Sequence, residues 1–210
     1  ISSAAYGGSI FFNTPHSAIH LQNNRFTRSY AQMNGHSIHI LNCKEKEIEI
    51  SHCKFLDCGE IENSYSIMVN IENVNFLFNE VRFSDSSRSC GCIGCLKSGY
   101  HVYKGNFFQR SNLYCIDESK SNCEGVNIIN NTFDSIAGNR EGKCIHIFFG
   151  NAYSFAINNN TIQNCLSGGI FIKIVFNSFL DKFQFNQFYF INNAVNDQKF
   201  SEFKTCPQIW

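Results

Sequence analysis

Apolar and polar residues alternate along most of the chain at the β period of two. One eight-residue phrase returns throughout: apolar, any, apolar, any, two mostly polar turn residues, any, then Phe or Ile. It reads Ile19-His-Leu-Gln-Asn-Asn-Arg-Phe26 and returns at 48–55, 76–83, 100–107, 126–133, 155–162 and 183–190. Its closing residues are Phe26, Phe55, Phe83, Phe107, Phe133, Ile162 and Phe190. A second short run precedes most phrases by about ten residues: Ile10-Phe-Phe12, Ile38-His-Ile40, Ile67-Met-Val69, Ile145-His-Ile147 and Ile170-Phe-Ile172. A third strand is expected to start at each closing residue. No stretch keeps a helical period over three turns, and Lys44-Glu-Lys-Glu47 reads as a solvated loop.

The spacing selects the architecture. A propeller blade needs about 40–50 residues and four strands, and leucine-rich repeats need Leu at fixed offsets. A sandwich does not repeat one apolar register at near-constant spacing. The expected fold is all-β, a right-handed parallel β-helix of about seven coils with roughly 27 residues per coil. Residues 1–210 read as a single β-helix domain, a fragment of a longer chain. Like positions then stack about 4.8 Å apart, and Ile and Phe line up as internal columns. Asn130-Asn131 and Asn159-Asn160 fall at one turn position, as does Asn23-Asn24, which predicts a partial asparagine ladder. His52-Cys53 and Glu80-Val81 interrupt it.

Composition narrows the function classes. Lys+Arg and Asp+Glu are 17 each, which argues against binding nucleic acid through counterion release or a membrane through a polybasic arm. Apolar content of 43% with zero net charge excludes a disordered chain. No apolar run is long enough to span a bilayer; 170–179 is broken by Lys173 and Asn177.

Gly7-Gly8-Ser9-Ile10 and Gly168-Gly169-Ile170 resemble the GG-[AS]-I motif of the polymorphic outer membrane protein family, and Phe190-Ile-Asn-Asn193 resembles its F-x-x-N companion. The resemblance spans roughly residues 7–193, although Phe55, Phe83, Phe107 and Phe133 lack the Asn. It implies a right-handed parallel β-helix on the surface of bacteria or parasitic protists, with roles in adhesion and host contact.

Chemistry is sparse in this frame. Many β-helices cut acidic polysaccharides with clustered carboxylates. The outward columns read His20, Glu49, Leu77, His101, Asn127, Ala156, Gln184 and Gln22, Ser51, Asn79, Tyr103, Ile129, Asn158, Asn186, with one carboxylate between them. Asp57 and Asp85 share an offset in adjacent coils but read as turn residues, as does Asp134. Asn34-Gly35-His36-Ser37 lacks the companion motifs of pectin hydrolases. His39 and His146 occupy outward slots four coils apart, too far to share a metal or proton, and read as solvated strand histidines.

Eleven cysteines allow several readings. Cys90-Gly-Cys92-Ile-Gly-Cys95 suggests zinc with Cys115 or Cys123 as fourth ligand, a disulfide near 90–123, or buried thiols. Cys58 and Cys165 share a column with Ser29 and Ser86 and read as small core fillers. The sequons at Asn130 and Asn159 fall in the proposed ladder and are expected to be unoccupied. The outward row Phe11, His39, Met68, His146, Phe171 is apolar enough to need either covering loops or a partner, and coverage is the preferred reading.

The expectation is therefore a non-catalytic extracellular or cell-surface β-helix, an adhesin or stalk, with no catalytic residue, cofactor or metal assigned. Its expected partners are a host or cell-surface protein or glycan and flanking coils of the same chain. The alternative is a polysaccharide lyase or glycoside hydrolase whose site lies in inserts or in coils outside this sequence.

Overall fold

In the computed structural model the phenylalanines closing successive repeats stack face to face. Phe26, Phe55, Phe83, Phe108 and Phe133 form one column with neighbouring ring centroids 4.7, 4.8, 5.2 and 5.0 Å apart. In-register parallel strands impose that spacing, since each coil lies about 4.8 Å above the last. The structure describes residues 2–13, 15–42, 47–59, 64–71, 74–84, 91–95, 99–111, 114–118, 125–136, 144–149, 154–165, 170–174, 184–185 and 188–190.

Three parallel sheets, each 7-stranded, run the length of a β-solenoid. The first holds Ile10–Asn13, Ile38–Leu41, Tyr65–Asn70, Gly91–Cys95, Ile116–Glu118, Ile145–Phe149 and Ile170–Ile174. The second holds Ile19–Gln22, Glu47–Ser51, Val74–Asn79, Gly99–Lys104, Gly125–Ile129, Ser154–Asn158 and Gln184–Phe185. The third holds Arg25–Thr27, Lys54–Leu56, Arg82–Ser84, Phe107–Gln109, Thr132–Asp134, Asn160–Gln163 and Phe188–Phe190. The all-β parallel class expected from the repeat is the observed one. No helix among the described residues is long and apolar enough to cross a membrane.

Left-handed residues shape the corners on both sides of the third sheet. Asn23, His52, Glu80, Gly105, Asn130 and Asn159 (φ 52–64°) precede it; Arg28, Asp57, Arg110, Ser135 and Asn164 (φ 50–55°) follow it. A left-handed non-glycine residue costs roughly 1–2 kcal/mol. The corners from Asn23 to Ser135 offset that cost by donating their N–H to the next coil, as His52 does to the Asn79 carbonyl at 3.0 Å. The asparagine ladder sits one residue beyond the first corner. Asn131 Nδ2 donates to the Tyr103 carbonyl and to Asn160 Oδ1, both at 2.9 Å, while Asn131 Oδ1 accepts from Asn106.

This ladder corrects two expectations. It runs through Asn106, Asn131 and Asn160, all buried. The sequon acceptors Asn130 and Asn159 are the exposed corner residues before it, so the ladder leaves room for a glycan there.

The fourth repeat is also corrected. Phe76 pairs with His101, Phe78 with Tyr103 and Phe83 with Phe108, so the phrase occupies 101–108, not 100–107. A one-residue slip turns every side chain over. Tyr100 is therefore exposed, whereas His101, Tyr103 and Phe108 enter the core. The reason is local: Gly105 takes the left-handed corner and Asn106 the ladder position, where its Oδ1 accepts from Val81 N–H at 3.0 Å.

A small two-stranded sheet of Ser2–Tyr6 and Ser29–Asn34 flanks the start of the first sheet. Gly7 and Gly35 stack at the bend between them, both left-handed, and a Cβ on Gly7 would fall 2.3 Å from the Ile10 carbonyl. That bend accounts physically for Gly7-Gly8-Ser9-Ile10 and for Asn34-Gly35-His36-Ser37; Gly168, Gly169 and 191–193 lie outside the described residues.

His36 ties the small sheet to the solenoid. Its Nδ1 accepts the Ala31 N–H at 2.8 Å, so Nε2 carries the proton and donates to Ser64 Oγ at 2.6 Å. Burial lowers its pKa from 6.5 to about 4. As pH falls the unfolded chain takes up this proton first. The stabilisation is thus full above pH 6.5 and is lost as pH drops to about 4, a change of at most roughly 3 kcal/mol. Urea midpoints should fall across that window, and His36→Ala should be less stable at pH 7.5 with a flatter slope between pH 6.5 and 4.5. An unchanged slope in the variant would show that another group carries the acid sensitivity.

Candidate functional site

Successive residues of a strand face opposite sides, and Asp117 and Glu118 exploit this on one three-residue strand. Asp117 stands in the outward row of the first sheet, with Gly94 and His146 as its strand partners. Glu118 faces the interior, stacked beside Ile147. Both are buried, at 6% and 0% exposure.

The inward cluster joins two sheets. His101 Nδ1–H donates to Glu118 Oε1 at 2.8 Å, and the Tyr103 hydroxyl donates to the same oxygen. Cys95 Sγ lies 3.5 Å from the Tyr103 hydroxyl. Desolvation, with Cys95 and Glu118 alongside, pushes the Tyr103 phenol well above its usual range and keeps it a hydrogen-bond donor. His101 Nε2 is buried without a hydrogen-bond partner. The neighbours of these residues along their columns are apolar. Phe76 and Val126 flank His101, Phe78 and Ile128 flank Tyr103, and Val69 lies beside Cys95.

The outward cluster is built around Asp117. His146 Nδ1–H donates to its Oδ1 at 3.1 Å and the Tyr65 hydroxyl to its Oδ2. The Tyr114 ring stacks on the His146 imidazole at 4.2 Å. Gly94 makes the reach of Tyr65 possible, because a Cβ there would fall 2.6 Å from the Tyr65 ring. A carboxylate, an imidazole and two phenols can bind a sugar hydroxyl or exchange a proton.

The sequence-expected positions separate. His39 and His146 share the outward row with Met68, Gly94 and Asp117 between them. Neither is a solvated histidine. His39 donates to the Asn34 carbonyl at 3.3 Å, and burial lowers its pKa; His146 pairs with Asp117. Of the apolar outward row, His39 and Met68 are covered, whereas Phe11 is 46% exposed; the side chain of Phe171 lies outside the described residues. Asp57 is a left-handed corner residue 3.7 Å from Arg28 Nε, and Asp85 lies outside the described residues.

Among the described cysteines of the zinc-like spacing, Cys95 joins the inward cluster, whereas Cys92, Cys115 and Cys144 each stand just before the first inward Ile of successive coils (Ile93, Ile116 and Ile145), with the Cys92 and Cys115 thiols in contact. Cys90 and Cys123 lie outside the described residues. Cys144 and Cys165 are in sulfur contact at 3.9 Å; burial pushes the Cys144 thiol up, while the hydrogen bond from Cys144 lowers Cys165. Cys58 and Cys165 fill corners and point their thiols at the Phe26 and Phe133 carbonyls.

Sequence reasoning missed Asp117, Glu118 and the inward placement of His101 and Tyr103, because Ile116-Asp-Glu118 is too polar to read as a strand. A signal was present. A small residue precedes the first inward Ile in Ser9-Ile10, Ser37-Ile38, Ser66-Ile67, Cys92-Ile93, Cys115-Ile116 and Cys144-Ile145, and that recurrence fixes Ile116 as inward and hence Glu118 too. Compared with known proteins, the chain matches no family model, no curated protein and no solved structure.

Proposed function

We propose that this chain is a non-catalytic β-helix module of the cell surface or extracellular space that acts in adhesion or as a stalk, as its resemblance to the polymorphic outer membrane proteins implies. The observation that carries this reading is an aromatic group on rigid strands at one end of the first sheet. Phe11 is 46% and Tyr6 37% exposed, with ring centroids 6.2 Å apart, and both rings meet His39 edge-on. Exposed rings held without conformational freedom bind apolar sugar faces or protein side chains at little entropic cost. Phe11→Ser is expected to reduce binding to an array of immobilised oligosaccharides or to intact cells at least tenfold at an unchanged melting temperature. Undiminished binding, or a lower melting temperature alone, would remove this support.

A second reading, a carbohydrate-active enzyme, is favoured by the outward Asp117–His146–Tyr65 group, which brings acid–base side chains onto one strand face. Release of new reducing ends or unsaturated products from a polysaccharide panel, abolished in Asp117→Asn, would replace the first reading with this one.

A further inference from the structure

We propose that Cys95, His101 and Glu118, with Tyr103 beside them, form a site for a divalent transition-metal ion of zinc-like chemistry inside the solenoid. One donor atom from each of the first three lies within 4.8 Å of the others, and all three residues are buried. A thiol, an imidazole and a carboxylate make a mixed sulfur, nitrogen and oxygen set. Such a set suits Zn²⁺ and not Mg²⁺ or Ca²⁺, which take oxygen ligands.

The setting points the same way. A solenoid core needs no polar residue at these positions, and apolar side chains fill the same columns in neighbouring coils. Replacing a buried polar group by a well-packed apolar one is often neutral or stabilising, so the cluster is costly as a purely structural feature. Hydrogen bonding does not satisfy it either, since it leaves His101 Nε2 without a partner. Metal entry releases the Cys95 thiol proton. The thiolate and the Glu118 carboxylate then cancel the two positive charges of the ion, which an apolar interior requires. The Tyr103 hydroxyl, 3.5 Å from the sulfur, supplies a hydrogen bond to the ligand set.

The test uses the whole chain, stripped with a chelator and titrated with Co²⁺ or Zn²⁺. Wild type is expected to take up one Co²⁺ at this site, with tetrahedral ligand-field bands and a thiolate-to-cobalt charge-transfer band, and to melt higher with Zn²⁺. Cys95→Ser should lose the charge-transfer band and weaken binding by about 100-fold or more. The double variant His101→Phe, Glu118→Leu restores the apolar columns. It should fold, bind no metal here and melt at a temperature indifferent to Zn²⁺. Cys144→Ala should keep the wild-type spectrum, which separates this site from the neighbouring thiols. No cobalt uptake by folded wild type, a charge-transfer band surviving in Cys95→Ser, or its loss in Cys144→Ala would overturn the proposal.

Discussion

Phe108→Ala is expected to destabilise the solenoid by about 3–5 kcal/mol, whereas Phe107→Ala should cost less than about 1 kcal/mol. The two residues are adjacent in sequence and differ only in the face they occupy. Phe108 is fully buried and touches a ring on each side, Phe83 at 5.2 Å and Phe133 at 5.0 Å. Removing it deletes two stacked contacts and leaves a cavity that the coils cannot close, because strand hydrogen bonds fix their spacing. Phe107 sits half-buried on the outer face under the Arg82 guanidinium, 5.8 Å from its ring centroid, and its loss removes a cation–π contact and some partly buried surface but opens no core cavity. Chemical denaturation of the two variants checks the assignment. Equal costs, or the larger cost at Phe107, would restore the 100–107 frame and return His101 to the surface.

The same pair shows what was legible in the sequence. Alternation and the recurring closing Phe are strong enough to specify parallel stacked coils, because Phe26, Phe55 and Phe83 cannot share a column in any other arrangement. Register in the fourth coil was not legible from hydrophobicity. Tyr100 and Phe107 satisfy an apolar pattern as well as Phe108 does, and the true frame requires a histidine in the core. Hydrophobic patterning misplaces a residue wherever a core position is polar, and such positions are where chemistry collects. Glu118 and His101 are therefore both the residues that pattern reasoning overlooks and the ones that make the interior of this level unlike its neighbours. Asp117 escaped for a related reason: a strand of three residues, two of them acidic, carries no apolar alternation to detect.

The ladder yields the second large effect, again as a contrast between neighbours. Asn131→Ala should cost on the order of 4 kcal/mol, while Asn130→Gly should change stability by about 1 kcal/mol or less. Asn131 is the middle rung. Its Oδ1 accepts from the Asn106 backbone N–H at 3.0 Å and from the Asn106 amide at 2.9 Å, and its Nδ2 reaches the Tyr103 carbonyl and Asn160 Oδ1. Alanine leaves the Asn106 N–H and the Tyr103 carbonyl buried without these partners, and each such group costs about 1–3 kcal/mol. Asn130 contributes a left-handed backbone (φ 55°) that glycine adopts freely, and its N–H still donates to the Asn158 carbonyl at 2.9 Å. The Tyr103 carbonyl links the ladder to the buried cluster, since the strand that Asn131 holds also carries His101 and Tyr103. Asn131→Ala should therefore weaken cobalt uptake at the inward cluster as well as stability, whereas Asn130→Gly should leave both near wild type. A ladder variant that melts early yet binds cobalt as wild type does would show that the cluster is held by its own contacts and not by the rung below it.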